Sequence, residues 1–168
     1  QNKDYLFSKL AFRQAEINLG STSSNPSVGC VVVKDDAIIS SGRTSVHGRP
    51  HAEANALNKK INFKGSRIYI TLEPCSHYGQ TPPCVNNIIK NKIHKVLFSI
   101  NDTDKRSKNL AYLKLKRKKI IVRRFIHKSY GKKFYKSYIL QSTNKIPYID
   151  AKLAISKDYF SINKKKNW

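Results

Sequence analysis

The chain predicts an α/β protein with helices laid over a mixed sheet, on three observations. Strand-like and helix-like stretches alternate from residue 51 onward. Ahead of them, two β-rich runs are joined by only two polar residues, as in an antiparallel hairpin. Apolar residues, 39% of the total, come in short runs throughout. Alternation of this kind builds a layered sheet-and-helix core.

Residues 5–19 carry apolar side chains at 6, 7, 10, 11, 15 and 19, near helical spacing, and Gly20 is a suitable stop. A polar loop, Ser21-Thr22-Ser23-Ser24-Asn25-Pro26, follows. The hairpin strands are residues 28–34 and 37–41, turning at Asp35-Asp36. Residues 42–50 form a loop that delivers the chain to His51. Residues 51–60 read as a helix, favoured by Ala52, Ala54, Ala56 and Leu57 and preceded by Pro50. Residues 67–72 read as a strand and 84–91 as a short helix, with the stiff Pro82-Pro83 pair setting its start. A strand over 95–100, a basic helix over 106–118 and a strand over 120–125 complete the alternation. Residues 130–140 fit either a helix or an irregular basic segment. No internal repeat is present.

A length of 168 residues suits one domain with a modest extension. No apolar stretch approaches the ~20 residues that span a bilayer, and Gln1-Asn2-Lys3-Asp4 has no signal-peptide character. The sequence lacks methionine, so it is expected to have lost its initiator or to be a piece of a longer protein. Of three cysteines, two stand at metal-ligand spacing near a histidine, which fits a reducing, cytoplasmic location better than a disulfide framework. Cys30, in the apolar run Val28-Gly29-Cys30-Val31, is expected in the core.

The net charge of +23 invites a nucleic-acid reading. Its distribution argues otherwise. Residues 1–89 hold 10 basic and 6 acidic side chains, whereas residues 90–168 hold 23 and 4. The excess is mostly lysine, accompanied by abundant asparagine and isoleucine, and those three share adenine- and thymine-rich codons. Compositional drift therefore explains the charge better than a polyanion partner, and nucleic acid is not expected to bind.

The chemistry is concentrated between residues 51 and 84. Pro50-His51-Ala52-Glu53 is followed by Pro74-Cys75, an eight-residue loop, and Cys84. Imidazole and thiolate are zinc's preferred ligands, and three of them, His51, Cys75 and Cys84, leave a tetrahedral ion one position for water. Glu53 is then the spare carboxylate that moves protons. Residues i and i+2 do not share a helix face, so His51 and Glu53 can meet at one ion only if His51 sits at the first helical position. Both metal-bearing segments would lie at helix N-termini, whose partial positive charge favours thiolates. A structural zinc site is the plainer alternative, with His77 its candidate fourth ligand. Glu73 reads as a strand-end carboxylate that organises the loop, and His47 as an exposed loop residue. His94 and His127 carry no signal.

H-x-E with a later P-C…C pair is the signature of zinc deaminases that act on amino-bearing rings. The run Pro74-Cys75-Ser76-His77-Tyr78-Gly79-Gln80-Thr81-Pro82-Pro83-Cys84 resembles more narrowly the deaminase half of the riboflavin-pathway bifunctional deaminase/reductase. Asn25-Pro26-Ser27-Val28-Gly29 and Asp102 match the same family, and residues 146–158 look like the first strand of its reductase domain. The resemblance implies a cytidine-deaminase-like three-layer α/β/α sandwich with a mixed central sheet. It implies zinc-dependent hydrolysis of the 2-amino group of 2,5-diamino-6-ribosylamino-4(3H)-pyrimidinone 5′-phosphate, with release of ammonia. His51, Cys75 and Cys84 would hold the metal, Glu53 would shuttle protons, and Asn25, His77 and Asp102 would contact substrate.

This similarity also divides the chain into a deaminase domain, 1–145, and the start of a reductase domain or a tail, 146–168. A complete chain would need a separate reductase for the next step, and a severed one would leave its last strand poorly packed. Family likeness implies a homo-oligomer. Departures are specific: Thr44 stands where the family commonly has His, and Gln80 where a cation usually faces the phosphate. Arg43, Arg49 or a lysine would have to compensate. A transfer-RNA-type deaminase is disfavoured by the eight-residue insert, and a catalytically silent zinc module is the remaining alternative.

Overall fold

The structure is a computed structural model that describes residues 3–157 and 159. Its centre is a five-stranded sheet made of β1 (Gly29–Lys34), β2 (Ala37–Arg43), β3 (Arg67–Leu72), β4 (Lys95–Ile100) and β5 (Ile121–Arg124), in the order β2-β1-β3-β4-β5. β1 is antiparallel to both β2 and β3, while β3, β4 and β5 run parallel. The sheet is therefore mixed, as expected. Asp35 and Asp36 both have positive φ, the geometry of a two-residue hairpin turn.

The central strands are buried on both sides, and their side chains divide between two cores with period 2. Cys30, Val32, Ile68, Ile70, Val96 and Phe98 face one cluster, and Val31, Val33, Tyr69 and Leu97 the other. The first cluster is covered by α2 (Ala52–Leu57), α3 (Cys84–Lys90) and α4 (Leu110–Arg117). The second takes Phe7 and Ala11 of α1 (Lys3–Ile17), and α5 (Lys128–Phe134) lies beside α1 through a Phe12–Tyr130 ring contact at 4.8 Å, Phe12 itself packing in the first cluster. That makes three layers. Cys30 is fully buried, as a core cysteine should be.

Two glycines let the helices press onto the sheet from opposite faces. A Cβ on Gly29 would fall 1.8 Å from the carbonyl oxygen of Ala11, and one on Gly42 would fall 2.3 Å from that of Ala52. Only a residue without a side chain permits so close an approach. The contact at Gly42 matters for function, because it seats the first turn of α2, and the two residues of interest there, against the end of the sheet.

Several boundaries differ from the sequence reading. α2 ends at Leu57 instead of residue 60, because the following Asn58, Lys59 and Lys60 are exposed and have no core to join. The basic helix starts at Leu110, not 106. Asn109 is left-handed and its amide is taken by Glu73 Oε2 at 3.1 Å, while Arg106's amide goes to Asp104 Oδ1 at 2.9 Å. Residues 130–140 belong to two helices, α5 and α6 (Lys136–Asn144), hinged at the buried Tyr135. Tyr135 donates to the carbonyl of Ser27 at 3.0 Å and shares a hydrogen bond with Thr71. After α6, residues 146–157 form no helix or strand, and Ile149 and Leu153 are largely exposed. Asp158, part of the reductase-like match, lies outside the described residues.

Candidate active site

The site forms where β3 and β4 end, the place where open α/β sheets commonly hold ligands. His51 caps α2 with extended backbone (φ −69°, ψ 161°). It is thus one residue earlier than the first helical position, a correction that frees its ring from the helical direction. Its Nδ1 lies 3.7 Å from Cys75 Sγ and 3.5 Å from Cys84 Sγ. Cys75 follows β3 by a short turn, and Cys84 opens α3, donating its own amide to Cys75 Sγ at 3.2 Å.

These distances test the metal reading directly. Zinc sits about 2.3 Å from sulfur and about 2.0–2.1 Å from nitrogen, so two such donors on one tetrahedral ion are separated by roughly 3.6 Å. Both observed separations fit. The three ligand atoms lie within 4.8 Å of one another, and no other such grouping is found among the described residues. His77 is not in it. Its Nδ1 lies 2.8 Å from Ser107 Oγ, so the fourth protein ligand of a structural site is not supplied by this residue.

Glu53 is two residues into the same segment and buried. Burial pushes its carboxyl up to about 7; the Cys75 sulfur adds to the rise and the His51 ring opposes it. Cys75 is held at about 4, chiefly by the hydrogen bond from the Cys84 thiol, with His51 also helping against burial. The same bond to Cys75, together with burial, drives Cys84 the other way. His51 is raised, first by its bond to Cys75. The Cys75 sulfur thus favours the thiolate form, and an ion held here would take up the second sulfur with release of its proton, the usual coupling of metal uptake to proton release.

Over this floor lies a cavity of about 110 Å³. Asn25, His77 and Asp102, from three separate loops, all line it together with His51, Glu53 and Cys75. Asn25 Nδ2 donates to the Gly48 carbonyl at 3.1 Å. Asp102 is buried, and its carboxyl is raised above the usual range by that burial. Its Oδ1 accepts from the Tyr138 hydroxyl at 2.8 Å and from the Asp104 amide at 3.1 Å. Glu73 organises the loop as expected: its Oε2 accepts the amides of Asp102 and Asn109 at 3.2 and 3.1 Å.

Three lining residues, Tyr138, Asp104 and Arg106, escaped the sequence reading. Tyr138 lies in the stretch left between helix and loop, and the spacing of Tyr135 and Tyr138, three apart, was the available signal. Thr44, where a histidine was the family expectation, is buried and braces the loop by accepting the Val28 amide at 2.9 Å. Gln80 is exposed and outside the lining. Of the residues named to replace its charge, Arg49 lines the cavity, whereas Arg43 is turned toward Gln14 at 3.3 Å. A larger groove of about 500 Å³ lies between α1 and α5, around Tyr5, Phe12, His127 and Tyr130, far poorer in reactive groups. No helix among the described residues is long and apolar enough to cross a membrane.

Comparison with known proteins agrees with this geometry. Residues 1–100 match the family model of the cytidine and deoxycytidylate deaminase zinc-binding region. The chain is 36% identical to the diaminohydroxyphosphoribosylamino-pyrimidine deaminase of Buchnera aphidicola subsp. Schizaphis graminum, over 86% of its own length and 99% of that protein. It is 34% identical to riboflavin biosynthesis protein RibD of Escherichia coli (strain K12), but there it spans 43% of the longer protein. Among solved structures, the diaminohydroxyphosphoribosylaminopyrimidine deaminase/5-amino-6-(5-phosphoribosylamino)uracil reductase of Thermotoga maritima superposes with a TM-score of 0.89 at 32% identity. That match covers 98% of this chain and 48% of the other. The cytidine-deaminase-like α/β/α sandwich is the fold found.

Proposed function

This chain belongs to the zinc-dependent diaminohydroxyphosphoribosylamino-pyrimidine deaminases of the cytidine and deoxycytidylate deaminase family, and from that premise we propose the reaction it catalyses. The substrate is 2,5-diamino-6-ribosylamino-4(3H)-pyrimidinone 5′-phosphate. Water adds at the ring carbon that carries the 2-amino group, the C–N bond breaks, and ammonia leaves with the 2,4-dione as product. The observation that carries this reading is the joint placement of the His51, Cys75 and Cys84 donors, at zinc spacing, beside a buried Glu53 in one cavity.

Zinc, when bound, supplies the acidification of water, bringing its pKa from ~15.7 to near 7. His51, Cys75 and Cys84 would hold it. Glu53 accepts the proton of the attacking water and returns it to the departing amine, a task matched by a carboxyl whose burial brings it close to neutrality. Asn25, His77 and Asp102 orient the pyrimidine, and Tyr138 fixes the Asp102 carboxylate. Residues 1–145 make up the deaminase unit, and residues 146–168 correspond to the beginning of the reductase part of the longer relatives. A reductase then takes the product onward, the location is cytoplasmic, and the unit works as a homo-oligomer.

The test is ammonia release from the pyrimidinone ribotide by purified protein of measured zinc content, with cytidine and transfer RNA as controls. Turnover of the ribotide alone is expected. Release from either control, or from none of the three, would sink the assignment.

A further inference from the structure

We infer that Arg49 is the residue that receives the 5′-phosphate of the substrate, doing from the loop before α2 what a cation at position 80 would do from the loop between the cysteines. The inference rests on the ribotide reading above and adds the anion subsite to it.

The cavity has an acidic interior. Glu53, Glu73, Asp102 and Asp104 all line it, and any of them that is ionised and unpaired repels a phosphate dianion. It can be accommodated only where positive charge is left uncancelled. Two guanidinium groups line the cavity, Arg49 and Arg106. Arg106 is already committed: its Nε lies 3.0 and 3.1 Å from the two Asp104 oxygens and its Nη2 lies 2.6 Å from Oδ2. That forked pair occupies two of its five N–H donors and neutralises its charge.

Arg49 is held differently. Its Nη1 donates to the hydroxyl of Thr81 at 2.7 Å, a neutral partner. No ion pair among those formed by the described residues includes it. A guanidinium has five N–H donors in a planar fork, so most of them remain for a phosphate. Its position is also informative. Thr81 and Gly79 flank residue 80, and a Cβ placed on Gly79 would come 3.6 Å from Arg49 Nη2. The head of Arg49 therefore sits against the stretch of rim from which residue 80 projects, while Gln80 itself is neutral and faces solvent.

The test compares kcat/KM for the ribotide and for its dephosphorylated riboside in four proteins: wild type, Arg49→Gln, Arg43→Gln and Arg49→Gln/Gln80→Lys. Losing a charge-assisted hydrogen bond to phosphate should lower the ribotide-to-riboside preference by about 10- to 100-fold in Arg49→Gln, mainly through KM. Arg43→Gln removes the same charge outside the cavity and should keep the wild-type preference. Restoring a cation in Arg49→Gln/Gln80→Lys should recover part of it. A purely structural role in holding the loop would depress both substrates alike, and that result, or an unaltered preference, would overturn the inference.

Calorimetric titration of ribose 5-phosphate into the zinc-loaded wild type and Arg49→Gln proteins separates this idea from the assignment of the reaction. If the wild type turns over no ribotide, yet ribose 5-phosphate binds and Arg49→Gln weakens it, the anion subsite stands without that substrate. Absent binding, or binding indifferent to Arg49, removes it.

Discussion

Asp4 and Glu53 are both buried carboxylic acids, at 9% and 3% exposure; Asp4 pairs with Lys95 at the start of β4, whereas Glu53 lies beside Cys75, past the end of β3. Their chemistry diverges. Burial alone would raise Asp4, but the Tyr69 hydroxyl at 2.6 Å, Lys95 at 3.2 Å and Arg123 at 3.1 Å outweigh it and hold the carboxyl below its usual range. Among the described residues Glu53 forms no such ion pair; burial raises it first and the Cys75 sulfur pushes it further up, to about 7, against the His51 ring. Glu53 is also the more deeply enclosed of the two, so depth and partners decide together. An acid ringed by cations stays charged and serves as a strut, whereas an acid set beside thiolates can gain and lose a proton at neutral pH.

The sharpest way to break this contrast is to remove the thiolates. Cys84→Ala should lose zinc, read by metal analysis, and ammonia release should fall below detection; retained zinc would mean that the ion is held elsewhere. Next comes the acid itself. Glu53→Gln should keep a full complement of zinc and lose about 10²–10⁴-fold in kcat, the range of general acid–base catalysis. An active, zinc-loaded Glu53→Gln protein would return Glu53 to the class of struts.

A smaller effect is expected one layer out. Tyr138→Phe deletes the hydroxyl that Asp102 accepts and should raise KM about tenfold, with little change in zinc content. An unchanged KM would show that Asp102 is positioned by the Asp104 amide alone.

The smallest effect belongs to Asp4. A carboxyl with a lowered folded pKa contributes stability that is present above its unfolded value, near ~3.9, and lost as the pH falls through the lower folded value. Asp4→Asn should therefore lower Tm at neutral pH by roughly 2–4 °C, what about 1 kcal/mol is worth in a domain of this size. The gap between variant and wild type should close as the pH falls below about 4. A gap of constant size down to pH 2 would show that the ion cluster is not its source.

Read from the sequence alone, β3 and β4 were placed to the residue, because apolar β-rich runs declare themselves locally. The zinc donors and Glu53 were legible for a related reason: His51 and Glu53 are neighbours in one short motif, and the cysteines bound one loop. Other parts were not. The segment 106–109 has helical composition, yet Glu73, more than thirty residues earlier, takes the amide that a helix would need. Asp104 and Arg106 are joined by side-chain bonds, and Arg49 is tied to Thr81 across 32 residues, without any periodicity that betrays them; Tyr138 had only its spacing from Tyr135.

By itself, then, the sequence determined the α/β class, the order of the strands along the chain and the identity of the reactive groups. Each of those depends on residues close in the chain. Only the tertiary structure decided that His51 would cap α2 instead of opening it, that Thr44 would brace a loop, and that Arg49 and not Arg43 would bring charge to the cavity. Those outcomes follow from packing between distant segments, where burial and hydrogen-bond partners are settled jointly and no single stretch carries the information.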